Sequence, residues 1–285
     1  MTMPPSAAPL AVIDLGSNAS RLLVGKYHGK NFVQHLFVRV PLRLGQDAYG
    51  KDNMISPATQ MRLCDTLNGL RLLARSAQAA HCRVVATAAV RDCKNRQQLI
   101  RTIRQKTTLH IDVLSGEEEA KIIGAFVARQ FPRSKTLLNI DAGGGSTDCS
   151  LLLDGKIIDS GTFSVGSARQ RGGAIADKKS LAQWLENNAR RRQGLIVAIS
   201  GGSARVLADI CNGMTDKNLS AFMTAAINMT PSRRAAAYGI TLDRAQKIIA
   251  AARICRMILH HTGAAELKTV TGGLGEAMLS QWSVE

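Results

Sequence analysis

The sequence predicts an α/β protein made of two similar domains. Strand-like apolar runs alternate with segments of helical periodicity along the chain, which is the usual signature of this class. One pattern also occurs twice: a buried strand that ends in Asp, a Gly/Ser/Thr turn, a second apolar strand and a Gly-Lys turn. The two copies contain Asp14 and Asp141, and coincidence between two ordinary hairpins is the alternative explanation. At 285 residues, 45% of them hydrophobic, the chain is long enough to give each domain its own core.

The first half of the chain alternates strands and helices. Its hairpin starts at Ala11 and closes at Gly29-Lys30. The elements expected after it are a core-facing helix with a Ser-Pro start at 55–76, a strand at 82–87, a basic helix at 95–106, a short strand at 111–114 and a helix from 115 to about 130. The helical pattern stops at Pro132. We therefore expect an N-terminal domain at 1–131 and a C-terminal domain at 132–285, with the last helix, about 275–285, a candidate to pack back on the first domain.

The second half repeats the combination of strand and glycine turn. Its hairpin closes at Gly155-Lys156. Two later strands, at 195–199 and 268–270, run into Ser200-Gly201-Gly202 and Thr271-Gly272-Gly273. The remaining segments are predicted as a solvated helix at 176–193, an amphipathic helix at 242–260 and a short closing helix from 274.

Composition narrows the class of partner. The net charge of +16 predicts attraction to anions that weakens with salt, unless the basic residues serve solubility alone. Nucleic acid is disfavoured because there are few aromatic residues (2 Trp, 3 Tyr, 6 Phe) and no recognisable nucleic-acid-binding motif. A polyanion made only of phosphate fits at least as well. The six cysteines lack a C-x-x-C pair, which favours reduced thiols, and the absence of a signal segment or membrane-length apolar run predicts a cytoplasmic protein without a membrane partner.

The glycine turns suggest phosphate binding. Backbone N–H groups in such turns can surround phosphate oxygens, and the missing Cβ lets the anion approach closely. Two of the four turns directly follow Asp14 and Asp141, where a carboxylate can hold hydrated magnesium beside the phosphates. A single turn of this kind is usually a plain tight turn, but the set of four with two carboxylates favours a phosphate and metal site.

An acidic helix start supplies a candidate general base. Ser115 suits the N-cap, Glu118 completes a capping box and Glu117 can form an ion pair along the helix. Glu119 lacks such a role and begins an otherwise apolar stripe, where partial burial would raise its basicity. Glu119 could therefore orient and deprotonate an attacking water. The alternative is a third first-turn acid favoured by the helix dipole.

Together these segments resemble the motif set of the exopolyphosphatase / guanosine pentaphosphate phosphatase (Ppx/GppA) family. The matching stretches follow the family's order from residue 11 to the C-terminus: Ile13 to Asn18 with Arg21-Leu22, Arg43-Leu44-Gly45, Ala86 to Arg91, Ser115 to Ala120, Asp141 to Thr147, Gly166-Ser167-Ala168-Arg169, Asp243-Arg244-Ala245 and Thr271 to Leu274. No single motif is decisive, but the ordered set is specific.

The resemblance implies the fold, the chemistry and the roles of individual residues. The expected fold is the two-domain actin-like fold of the acetate and sugar kinase superfamily, with duplicated ribonuclease-H-like domains and an active site in the interdomain cleft. Glu119 would activate the water. The remaining implied roles are phosphate binding by Ser17, Asn18, Arg21, Arg91, Gly143, Gly144, Gly145, Ser146 and Thr147, and Mg²⁺ binding by Asp14, Asp141 and Asp148. These roles suit phosphoryl transfer, which depends on positioning and on neutralising charge.

The implied reaction is release of terminal phosphate from inorganic polyphosphate, with guanosine pentaphosphate as the alternative substrate. Three departures from the family pattern bear on it: Asp148 replaces the usual Glu, Gly275 replaces an expected Arg, and the segment between Arg169 and Ser232 is short. The chain also lacks the additional C-terminal helical domains of longer members, which favours short polymers. A regulator that binds phosphate polymers without turnover, a small-molecule kinase and a nucleic-acid-binding protein are the competing functions. Family members are often homodimers, so a homodimer is a further expectation.

Overall fold

The computed structural model describes residues 8–28, 31–132, 134–167, 175–190 and 192–282, which form two compact units. The first unit contains the described residues up to Ser115 and those from Leu274 onward, and the second runs from Gly116 to Gly273. The boundary predicted from the sequence lay later, at 131/132. The difference arises because the helix that precedes it packs on the strands of the second unit.

The first unit is built on a five-stranded mixed sheet of order β3-β2-β1-β4-β5. Its strands are β1 (Leu10–Leu15), β2 (Ser20–His28), β3 (Asn31–Val40), β4 (His81–Ala86) and β5 (Ile111–Val113). The first three strands are antiparallel, and β4 and β5 are parallel to β1. β1 is the central strand, and its residues from Ala11 to Leu15 are all buried.

Among the residues that the structure describes, five helices complete the first unit. They are α1 (Leu44–Ala48), α2 (Pro57–Ser76), α3 (Ala88–Asp92), α4 (Arg96–Thr107) and α11 (Leu274–Trp282). The predicted Ser-Pro start of α2 is confirmed: Ser56 caps the helix by accepting from the Thr59 amide, and Pro57 is the first helical residue. Leu63, Leu67 and Leu70 of α2 enter the core, and α11 packs on β1 and β2.

The second unit repeats this sheet, with the order β8-β7-β6-β9-β10. Its strands are β6 (Thr136–Ala142), β7 (Thr147–Leu153), β8 (Lys156–Phe163), β9 (Ile196–Ser200) and β10 (Lys268–Thr269). Again the first three strands are antiparallel and the last two are parallel to the first. The β7–β8 turn has Asp154 and Gly155 at φ 48° and 76°, a left-handed pair that suits a tight hairpin.

Six helices belong to the described part of the second unit. They are α5 (Gly116–Gln130), α6 (Ile175–Ala189), α7 (Gly202–Cys211), α8 (Asp216–Ala226), α9 (Pro231–Tyr238) and α10 (Leu242–Thr262). The sequence pattern predicts α5, α6 and α10, but the three shorter helices between β9 and α10 were not expected. The main core lies between α6, α7, α8, α10 and one face of the sheet.

The repeated strand order confirms the predicted α/β fold with duplicated domains. Each sheet has three antiparallel strands followed by two strands parallel to the first, which is the arrangement expected of a ribonuclease-H-like domain pair. Two predicted features, the Gly29-Lys30 turn and residues Ala168-Arg169, lie outside the described residues. Among the residues described, no helix has the length and apolar character needed to cross a membrane.

Candidate active site

The turn after β1 is held in a fixed conformation by the chain around α1. The Gly16 amide donates to the Ala19 carbonyl at 3.2 Å, and the amides of Arg43 and Gly45 donate to the carbonyls of Asn18 and Ser17 at 3.1 and 2.8 Å. A Cβ at Gly45 would lie 3.2 Å from the Ser17 carbonyl oxygen, so the Arg43-Leu44-Gly45 motif allows this close approach. These bonds fix the backbone of Ser17 and Asn18.

Asp14 and Arg21 form an ion pair at the base of this turn. They lie directly opposite each other on β1 and β2, and Arg21 Nη1 donates to Asp14 Oδ2 at 2.7 Å. The Asp14 side chain is 10% exposed and that of Arg21 is 33% exposed, so the pair is partly shielded from water. The geometry gives Asp14 one defined task, to orient the Arg21 guanidinium. Its predicted role in holding magnesium stays a prediction.

Arg91 lies at the same end of the first sheet. Thr87 follows β4, and its amide donates to the Leu15 carbonyl, which places α3 beside the end of β1. The Arg91 side chain donates to the Leu114 carbonyl at 3.4 Å and to Asp92 Oδ1 at 3.1 Å. The first unit therefore gathers its four predicted phosphate-binding residues at the carboxyl ends of β1 and β4 and in the turn between β1 and β2.

The glycine turn of the second unit packs against a neighbouring loop. The Gly143 amide donates to the Ser146 carbonyl at 2.9 Å, and the Ser167 amide donates to the Gly143 carbonyl at 3.2 Å. A Cβ at Gly166 would lie 2.3 Å from the Gly144 carbonyl oxygen, so only glycine fits there. Gly143 and Gly144 remain partly exposed, whereas Gly145, Ser146 and Thr147 are buried.

Two carboxylates face each other beside this turn. Asp141 on β6 is directly opposite Asp148 on β7, so both side chains lie on one face of the sheet. Ser200 Oγ donates to Asp141 Oδ1 at 2.9 Å, and Ser146 Oγ donates to Asp148 Oδ2 at 2.8 Å. The duplicated hairpins thus differ in charge at one of the two equivalent positions, because the residue opposite the first aspartate is Arg21 in the first copy and Asp148 in the second.

The Asp141–Asp148 pair has the chemistry that magnesium requires. Magnesium binds through one or two carboxylates together with waters and substrate phosphates, seldom through an all-protein cage. The described residues contain no group of three or more His, Cys, Asp or Glu side chains that could enclose a metal. A pair of carboxylates beside a glycine turn is a donor set that fits magnesium.

Glu119 lies on the side of α5 that packs against the sheet. It is 7% exposed, whereas Glu117 is exposed and forms the predicted ion pair with Lys121 at 2.7 Å. Two neighbours of Glu119 on α5 contact the sheet. Gly116, on the same helical turn, lies so close to Thr162 that a Cβ would clash with its side chain, and the carbonyl of Ala120, the next residue, accepts from Ser150 Oγ at 3.3 Å.

The strand register places these contacts beside the carboxylate pair. Thr162 is paired with Asp148, and Ser150 is two residues beyond Asp148 on β7, so both face the same side of the sheet. Glu119 therefore lies on the face that carries Asp141 and Asp148. The register thus assigns the predicted catalytic and metal residues of the second unit to the same face of the sheet.

Several contacts of the site could not be predicted from the sequence because they join residues that are distant in the chain. Tyr49 Oη is 2.9 Å from Ser17 Oγ, and Ser200 holds Asp141 across 59 positions. Asn139 is a further polar residue of the site: it is buried in β6 and lies on the same face as Asp141. The sequence does carry a signal for it, because it is a polar residue within an apolar strand. The sequence carries no comparable signal for Tyr49.

The model of the Ppx/GppA phosphatase family matches residues 29–183, which is more than half of the chain. The chain belongs to the Ppx/GppA phosphatase family. This membership confirms the resemblance drawn from the motifs and makes the protein a hydrolase acting on phosphoanhydride bonds. The matched region includes Glu119, the glycine turn of the second unit and both members of the Asp141–Asp148 pair.

Curated relatives extend the match to both units. Exopolyphosphatase 1 of Mycobacterium tuberculosis is 26% identical over 278 residues, covering 86% of this Ppx/GppA chain and 79% of the relative. A guanosine-5'-triphosphate,3'-diphosphate pyrophosphatase of Vibrio vulnificus is 30% identical over 186 residues, covering 64% of this chain and 34% of the relative.

Solved structures share the fold. An exopolyphosphatase from Cytophaga hutchinsonii superimposes with a TM-score of 0.84 at 20% identity, covering 97% of this chain and 98% of that one. A Ppx/GppA family member from Aquifex aeolicus gives 0.75 at 19% identity, covering 96% and 97%.

Proposed function

We propose that this Ppx/GppA phosphatase is a magnesium-dependent exopolyphosphatase that releases terminal phosphate from inorganic polyphosphate, with a preference for short chains. The observation that carries the proposal is the buried Glu119 on the sheet face that holds Asp141 and Asp148. The exopolyphosphatase relatives, which match 86% of the chain, support the choice of polymer.

In the proposed reaction Glu119 is the general base. Its carboxylate accepts a proton from a water molecule as the water attacks the terminal phosphorus, and the shortened polyphosphate leaves with the bridging oxygen. Burial favours this role, because a carboxylate removed from bulk water is a better proton acceptor than an exposed one.

The other groups bind and neutralise the phosphate oxygens. In the second unit the glycine turn, which is partly exposed at Gly143 and Gly144, is suited to donate backbone amides to them. In the first unit Arg21, oriented by Asp14, and Arg91 supply positive charge, and Ser17 and Asn18 supply polar groups. Magnesium held by Asp141 and Asp148 would neutralise further charge on the transferred group.

The proposal is tested by phosphate release from tripolyphosphate and from long polyphosphate, with magnesium and with a chelator. We expect magnesium-dependent release, fastest per chain end on the short substrate. Asp148→Asn should raise the magnesium concentration needed for half-maximal rate by about tenfold or more. Asp159→Asn is the matched control, because Asp159 is exposed on the adjacent strand β8 and only accepts from the Ser160 amide. Equal magnesium dependence in wild type and Asp148→Asn would show that the Asp148 carboxylate does not bind the metal.

Guanosine pentaphosphate is the second candidate substrate, favoured by the 30% identity to the Vibrio vulnificus pyrophosphatase. Parallel assays with this nucleotide decide between the two. A higher kcat/KM on guanosine pentaphosphate than on any polyphosphate would replace the first proposal. Tight binding of both without turnover would establish a regulator in place of an enzyme.

A further inference from the structure

The outer surface of α2 and α4 concentrates positive charge in the first unit. The two helices contain seven Arg or Lys residues and a single acidic residue, Asp65. All seven cationic side chains are exposed: Arg62, Arg71, Arg75, Arg96, Arg101, Arg104 and Lys106. None of them forms an ion pair with any residue that the structure describes.

The two helices run side by side in the same direction, so their charges form one surface. At their starts the Asn95 side chain donates to the Ile55 carbonyl and accepts from the Ile55 amide, both at 2.9 Å. About three turns further on, Asn68 Nδ2 approaches the Lys106 carbonyl at 3.5 Å. The cationic surface therefore extends along the whole of α4, about 18 Å at 1.5 Å per residue.

This surface continues from the phosphate-binding end of the first unit. α4 begins a few residues after Arg91, and Arg96 Nη1 donates to the Arg91 carbonyl at 3.3 Å. Positive charge thus runs without interruption by an acid from Lys94 through Arg96 to Arg101 and Arg104.

Helix electrostatics alone does not account for the pattern. Cations near a helix C-terminus are favoured by the dipole, which explains Arg75, Arg104 and Lys106. The same argument predicts acids in the first turn, but neither helix has one there, and α4 begins with Arg96. Seven like charges with a single acidic residue among them repel one another, so they are suited to an external polyanion.

The chemistry of the surface favours a polymer of phosphate over a nucleic acid. Neither helix contains an aromatic residue, so the surface offers no platform for stacking nucleic-acid bases. We infer that the α2–α4 surface binds the part of a long inorganic polyphosphate chain that extends beyond the phosphates held by Arg91. This inference rests on the proposed exopolyphosphatase function.

The experiment measures binding of long polyphosphate to the whole protein at several salt concentrations. The variant Arg71→Glu/Arg101→Glu is compared with wild type and with Arg233→Glu/Arg253→Glu, which changes two exposed arginines of the second unit and has the same net charge. Release of phosphate from tripolyphosphate, which is too short to reach along α4, is measured on the same samples.

We expect the α2–α4 variant to lose affinity for long polyphosphate. Its plot of log affinity against log salt concentration should be less steep than that of wild type, by about two in the magnitude of the slope. Its KM for long chains should rise while its kinetics on tripolyphosphate match those of wild type, and the control variant should keep the wild-type slope. Equal losses in both variants would overturn the inference in favour of a general charge effect. Duplex DNA is tested at the same concentration of phosphate groups. If wild type binds DNA more tightly than polyphosphate, and only the α2–α4 variant loses this binding, the inference is overturned in favour of nucleic acid.

The two proposals fail in different ways. If wild type releases no phosphate from any polyphosphate, the proposed function fails, and with it the claim that the bound chain is substrate. If wild type hydrolyses polyphosphate and the α2–α4 variant binds long chains as wild type does, only the surface assignment fails.

Discussion

Replacing Gly166 by alanine should inactivate the enzyme without unfolding it. The added Cβ would lie 2.3 Å from the Gly144 carbonyl oxygen and 2.6 Å from the Gly145 nitrogen, where ordinary contact begins at 3.4 Å. Both atoms belong to the backbone of the glycine turn, so the turn must retreat by about 1 Å, a displacement that can reduce catalysis roughly 100-fold. The accompanying overpacking should destabilise the second unit by about 1–3 kcal/mol.

The assay combines kcat for phosphate release with thermal unfolding of the same preparation. Gly69→Ala is the matched control: a Cβ at this exposed position in α2 meets nothing within 4 Å. That variant should keep full activity and gain about 0.5–1 kcal/mol of stability, because alanine is the better helix former. A folded Gly166→Ala protein with wild-type kcat would refute the argument that the turn must hold its position against Gly166.

The remaining predictions concern pH and thiol reactivity. Burial raises the pKa of Asp47, but hydrogen bonds from the Ser56 hydroxyl and amide outweigh it and leave the pKa below its ordinary value. A carboxyl group whose pKa is lower in the folded than in the unfolded protein stabilises the fold at pH values above its unfolded pKa of about 4. Asp47→Asn should therefore lower the free energy of urea unfolding by roughly 1 kcal/mol at pH 7, and this loss should vanish as the pH falls below 4. A loss that does not depend on pH would count against the reasoning. Burial raises the pKa of Cys255 to about 12, so iodoacetamide at pH 8 should label the half-buried Cys82 and Cys211 before Cys255. Mass spectrometry of peptides measures the labelling of each thiol. Equally fast labelling of Cys255 would contradict its burial.

Features encoded locally could be predicted from the sequence. The two hairpins follow from apolar strands and turn residues, and the confirmed cap at Ser56 and ion pair from Glu117 to Lys121 depend on residues within four positions of each other. The placement of Glu119 on a buried face follows from the helical period and the apolar residues that continue its stripe.

Features that depend on tertiary packing could not be predicted in this way. The sequence ends α5 correctly near Pro132, but only the packing of α5 on β7 and β8 assigns the helix to the second unit. The clash that reserves position 166 for glycine involves Gly144, which is distant along the chain. The hydrogen bond from Ser200 to Asp141 likewise appears only when β9 pairs with β6. The same holds for α2 and α4, whose separate basic segments become one surface because the helices pack in parallel.

The central claim, that Glu119 activates the attacking water, is tested most directly by comparing Glu119→Gln with Glu117→Gln. The two acids are two positions apart, but Glu119 is buried beside the carboxylate pair and Glu117 is exposed in an ion pair that contributes little stability. We expect Glu119→Gln to bind tripolyphosphate as wild type does and to lose about 100-fold or more in kcat, and Glu117→Gln to retain wild-type kinetics. A Glu119→Gln enzyme that releases phosphate at the wild-type rate would contradict the account.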